Sequence, residues 1–109
     1  MGTIKSSREM DIIFRRAKRT THLRITVLAA RTPEGRGHCG RVAFAAGKRL
    51  GGAVTRNRCR RVLRETARRA GAPWNGWDVV LVAGPGTPVA CSAELDRALS
   101  CALGRLGVL

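Results

Sequence analysis

Gly51-Gly52-Ala53-Val54-Thr55-Arg56-Asn57-Arg58-Cys59-Arg60-Arg61-Val62-Leu63-Arg64-Glu65 sets two glycines ahead of an arginine run, in what reads as the start of a helix. This is chemistry for holding phosphates. Guanidinium groups make paired hydrogen bonds to phosphate oxygens, glycines let a backbone come close, and a helix N-terminus adds partial positive charge. Seven arginines fall between Arg56 and Arg69, half of fourteen positions. At about 100° per residue, Arg56, Arg60, Arg61, Arg64 and Arg68 share one arc. Cys59, Val62, Leu63, Thr66, Ala67 and Ala70 gather on the other side, the pattern of a helix buried along one stripe. Arg58 and Arg69 fall on the flank between the two arcs. A charge run can be merely a solvated face, but only Glu65 offers an internal counter-charge here. Like charges at Arg56/Arg60, Arg60/Arg64 and Arg64/Arg68 each cost on the order of a few tenths of a kcal/mol unless an outside anion relieves them.

Bond-breaking chemistry has no comparable signal. Hydrolysis of RNA by a protein needs carboxylates holding two metals about 4 Å apart, or a well-placed acid/base pair. The seven acidic residues are dispersed, and His22 and His38 sit in strand-edge and turn contexts suited to solvated side chains. No catalytic residue and no metal site are assigned. Cys39, Cys59, Cys91 and Cys101 form no Cys-x-x-Cys pair and read as reduced, partly buried thiols rather than a zinc site or a disulfide framework. Gly47-Lys48 lacks Walker spacing and is no nucleotide loop.

The whole chain repeats the charge signal. Twenty-one Lys and Arg against seven Asp and Glu leave +14 on 109 residues, which makes nucleic acid the default partner. Residues 1–69 carry nineteen basic and four acidic groups, whereas residues 70–109 carry two and three, so one half binds and the other completes the fold. Eighteen of the cations are arginine, suited to bidentate phosphate contacts and to stacking on bases in structured or single-stranded RNA. The length and a 44% hydrophobic content predict one domain over 1–109 with a single modest core. No apolar run approaches the roughly eighteen residues of a membrane span, and no signal peptide opens the chain, which predicts a cytoplasmic protein without a membrane partner.

The elements that must position these groups follow from periodicity. Ser6 and Glu9 form a capping box ahead of Met10, Ile13, Phe14 and Ala17, predicting a helix over about 7–18. Leu23 to Arg31 and Arg41 to Ala46 predict two adjacent antiparallel strands separated by Thr32-Pro33-Glu34-Gly35-Arg36-Gly37, with room for a further turn near Leu23. Trp77 to Ala83 is an unbroken apolar run suited to a central strand, and Gly84-Pro85-Gly86-Thr87-Pro88 stops it. Ser92 opens a last helix buried along Leu95, Ala98, Leu99, Ala102, Leu103 and Leu106. The order α, β, β, possibly a further β, α, β, α points to an α+β fold, a mixed sheet with helices packed on it.

Lys48-Arg49-Leu50-Gly51-Gly52 running into Arg56-Asn57-Arg58 and on to Glu65 resembles the Arg-Asn-Arg signature of the bacterial ribonuclease P protein component. The basic, Phe-containing segment Lys5 to Lys18, the Gly40 to Phe44 strand and Trp77-Asp78-Val79-Val80 are similar to the family's elements in the same order. The resemblance implies a two-layer α/β sandwich of order αβββαβα. It also implies a mixed four-stranded sheet and a left-handed βαβ crossover, as in the second domain of a small-subunit ribosomal protein; most parallel crossovers are right-handed.

The resemblance further implies a protein that assists a catalytic RNA in maturing the 5′ end of precursor tRNA, with Mg2+ required by the RNA, no tightly bound cofactor and no small-molecule substrate. It implies an RNA-binding face of Lys48, Arg49, Gly51, Gly52, Arg56, Asn57, Arg58, Arg60, Arg61, Arg64 and Arg68. A cleft for the single-stranded 5′ leader would be lined by Met10, Phe14 and Leu28. Met10 and Leu28 stand where the family often has aromatics, Gly52 where it has asparagine, and Gly84-Pro85 where a basic residue is common. Without the resemblance, the charge alone also fits a general basic RNA-binding or ribosome-associated protein.

Overall fold

The computed structural model describes residues 13–22, 25–32, 40–84 and 86–108. Four strands, β1 (Lys18–His22), β2 (Ile25–Arg31), β3 (Arg41–Ala45) and β4 (Trp77–Ala83), form one mixed sheet of order β1-β2-β4-β3. Two helices, α1 (Ala53–Arg69) and α2 (Ser92–Leu106), complete an α+β fold, and residues 13–16 are also helical. Short 3₁₀ turns at Lys48–Leu50 and Thr87–Val89 lead into α1 and α2.

β4 owes its central place to its sequence. Val79, Leu81 and Ala83 point into a core shared with Ile25, Val27, Ala29 and Val42 of the sheet, Cys59, Leu63 and Ala67 of α1, and the buried stripe of α2. Val80 points to the opposite face, where it meets Ile13, Leu28 and Ala43. A strand apolar on both faces is stable only with cover on both sides and partners on both edges. Hence β2 pairs with β4 antiparallel (Val27 opposite Leu81), and β3 pairs with it parallel (Val42 opposite Val79). The two strands expected to be adjacent, β2 and β3, are therefore separated by β4.

The N-terminal helix predicted over about 7–18 ends sooner, at residue 16. Lys18 is already in β1, paired with Ala29, and β1 and β2 form a hairpin with His22 opposite Ile25. The capping residues Ser6 and Glu9 lie outside the described residues.

α1 is positioned by its underside. Cys59, Leu63, Thr66 and Ala67 are buried, and Val62 and Ala70 are half-buried. The Thr66 hydroxyl donates to the Val62 carbonyl at 2.9 Å, which lets a polar residue occupy the apolar stripe. All six residues expected on the inner face of α2 are buried. The helix opens at Ser92 as expected, with Cys91 as N-cap and Glu94 in its first turn. At the far end, Gly107 takes the left-handed conformation (φ 82°) and Val108 N–H closes on the Leu103 carbonyl at 2.9 Å.

Candidate nucleic-acid interface

The approach to α1 is set by one glycine. Gly51 has φ 123°, a region that favours glycine, and its N–H donates to the Lys48 carbonyl at 3.2 Å, ending the 3₁₀ turn. Gly52 is the N-cap with an ordinary extended backbone (φ −75°), no side-chain cap, and open space where a Cβ would stand. Lys48, Arg49, Gly51 and Gly52 are all exposed at this entrance. No acidic residue lies in the first turn of α1 to offset the positive end of the helix.

Along the helix, Asn57, Arg58, Arg61, Arg64 and Arg68 are exposed, and Arg56 and Arg60 are half-buried. Asn57 acts locally: its side-chain oxygen accepts a hydrogen bond from Arg60 Nη2 at 2.6 Å, which holds that guanidinium. The Arg64 guanidinium lies 5.6 Å from the ring centroid of Phe44 on β3. Arg56 Nε is shielded from solvent and meets no acceptor among the described residues. Arg68 pairs with Glu65 one turn back. Among the described residues, Arg56, Arg58, Arg60, Arg61 and Arg64 have no carboxylate partner, so the ladder expected from sequence projects a net positive face.

Arg69 departs from that ladder. Its Nη2 lies 2.9 Å from Asp96 Oδ1 of α2, its Nε donates to the same carboxylate, and Nη2 also donates to Thr66 Oγ1 at 3.4 Å. Spacing alone assigns Arg69 no role. Its partner lies twenty-seven residues away, beyond the reach of any helical spacing rule.

The expected leader cleft is less complete. Phe14 is 40% exposed beside buried Ile13, and Met10 lies outside the described residues. Leu28 is 1% exposed, packed with Ile13, Ala43 and Val80 on the face of the sheet away from α1 and α2. An aliphatic side chain at a central register position is driven into the core, so Leu28 offers no exposed stacking surface. Among the described residues, no three His, Cys, Asp or Glu side chains group to hold a metal ion, and no helix is long and apolar enough to cross a membrane.

A family model described as Ribonuclease P matches residues 2–107. The chain belongs to that family. A ribonuclease P protein component from Beutenbergia cavernae is 39% identical over 106 residues, covering 96% of this chain and 87% of that protein. Another, from Dehalococcoides mccartyi, is 41% identical over 69 residues, 63% of this chain and 57% of the relative's length. Among solved structures, the RNase P protein of Staphylococcus aureus aligns over 99% of this chain and 97% of its own, with a TM-score of 0.82 at 18% identity. That of Thermotoga maritima aligns over 100% and 98%, with a TM-score of 0.76 at 20% identity. At these identities the likeness is one of fold. The segment from the Lys48–Leu50 turn through the first three turns of α1 lies within the matched residues and is anchored by Cys59 and Leu63 underneath.

Proposed function

We propose that this chain is the protein subunit of a ribonuclease P ribonucleoprotein, acting in the cytoplasm as one domain over residues 1–109. It binds the catalytic RNA through the outer face of α1 and the Lys48–Arg49 entrance, and it helps hold precursor tRNA while the RNA cuts the 5′ leader. The Mg2+ ions of the reaction belong to the RNA. One observation carries the reading: in a member of this family, five arginines on one helix stand without carboxylate partners among the described residues. Each can neutralise a phosphate and release its condensed counterions, which favours association with any RNA. Fixed geometry then selects among RNAs: a 17-residue helix is about 25 Å long and presents its cations at set intervals along that length.

Reconstitution with a bacterial ribonuclease P RNA at low magnesium tests the reading. The wild-type chain should stimulate 5′ processing of precursor tRNA, and Arg56→Ala/Arg60→Ala should lose most of that stimulation. RNA binding without stimulation would instead mark a general basic RNA-binding or ribosome-associated protein, and cleavage without the RNA partner would mark a protein nuclease.

A further inference from the structure

At the end of the sheet away from the Lys48–Leu50 turn, Arg31 closes β2 opposite Trp77, the first residue of β4. The Arg31 guanidinium carbon lies over the Trp77 ring, 4.6 Å from its centroid, well inside cation–π range. Arg31 is exposed and Trp77 half-buried against the core. The nearest acid in the strand, Asp78, alternates to the other face and accepts hydrogen bonds from Thr32 Oγ1 and the Arg41 N–H, each at 3.3 Å. Arg31 has no carboxylate partner among the described residues.

The backbone that carries the Trp77 ring is pinned. The Trp77 backbone N–H donates to the Trp74 carbonyl at 3.1 Å, and buried Trp74 in turn donates from its Nε1 to the Ala70 carbonyl at the end of α1. Gly40 packs backbone-on-backbone against this turn, where a Cβ would stand 2.0 Å from the Trp74 carbonyl oxygen and 2.3 Å from that of Trp77. The turn therefore abuts the C-terminal end of the arginine helix, whereas Lys48 and Arg49 stand at its start.

We infer that the Arg31–Trp77 pair is a second RNA contact, a stacking platform for an unpaired nucleotide at the far end of the basic helix. The indole covers one face of the guanidinium. The other face can stack on a base, while the in-plane N–H groups reach the adjoining phosphate. A base inside a duplex has no free face to offer, so the occupant is single-stranded RNA. The inference rests on the RNA-binding reading above.

Oligoadenylate is the probe, followed by Trp fluorescence quenching and by anisotropy. The wild-type chain should show Trp quenching on binding, and Trp77→Phe, which keeps a ring in the core, should lose most of it. Arg31→Lys keeps the charge but not the flat stack, so affinity should fall about five- to hundredfold with the salt dependence unchanged. Duplex RNA should quench weakly. Binding by all three proteins at equal affinity with no Trp77-dependent quenching would overturn the platform and leave the RNA-binding reading standing. Absence of binding to any RNA would overturn both.

Discussion

Replacing Arg61 and Arg64 with alanine removes two exposed guanidiniums that face no carboxylate among the described residues, and salt titration counts the phosphates they hold. For single-stranded nucleic acid, each neutralised phosphate contributes about 0.7 to the slope of log K against log salt, so the double variant should lose about 1.4 in slope. At roughly 0.1 M salt, each contact is then worth about fivefold in affinity, and the pair about 25-fold or 2 kcal/mol. Stability should fall by no more than about 0.5–1 kcal/mol, the size of the exposed Arg64–Phe44 contact, because alanine favours helix at least as well as arginine. Arg69→Ala is the matched control: it deletes an arginine from the same helix, but one already spent on Asp96 and Thr66. Because both partners of that pair are more than 40% exposed, its loss should cost about 0–1 kcal/mol of stability and leave the salt slope at the wild-type value. Anisotropy titrations against single-stranded RNA over roughly 50 to 200 mM salt measure all three slopes. An unchanged slope for the double variant, or an equal drop for Arg69→Ala, would refute the assignment of phosphate contacts to the unpaired arginines.

Leu63 is fully buried under α1, and Leu63→Ala should lower unfolding free energy in urea by about 2–5 kcal/mol. Gly51→Ala forces a side chain into a left-handed backbone and should cost about 1–3 kcal/mol in thermal unfolding, with weaker RNA binding as the Lys48–Arg49 entrance shifts. Gly52→Asn, at an N-cap with ordinary dihedrals and open space, should instead raise stability by about a few tenths of a kcal/mol, read as a small rise in Tm. Asp78→Ala strips Thr32 Oγ1 and the Arg41 N–H of their acceptor beside a buried position and should destabilise by about 1–3 kcal/mol in the same urea assay.

The helices were the most legible parts of the sequence. A 3.6-residue period names the inner face of α1 and α2 residue by residue, because each buried side chain is set by its own helix and needs no knowledge of partners. Strand β4 was legible end to end for a similar reason: its apolar run marks a strand covered on both faces. The pairing of β2 with β4 was not legible, since strand order depends on which edges remain open once distant elements have packed. Of the site, the cationic ladder could be read from spacing, but its division into free and committed members could not. Arg58 and Arg69 fall on the same flank in sequence and differ because Asp96 reaches Arg69 from another helix. The Arg31–Trp77 pair was equally hidden, for its two residues meet only through the β2–β4 register. Leu28 shows the reverse limit: matching a family's cleft position does not keep an aliphatic side chain out of the core.

The edge strand β1 carries Lys18 and Arg19 exposed at the rim of the sheet. An open strand edge invites pairing with another copy, and charged side chains along it make that encounter repulsive. The surplus that suits this chain to a polyanion thus also guards it against itself. Ions that screen the surplus weaken both effects together, and on the proposed function an RNA partner would replace the guard by covering the chain with its own negative coat.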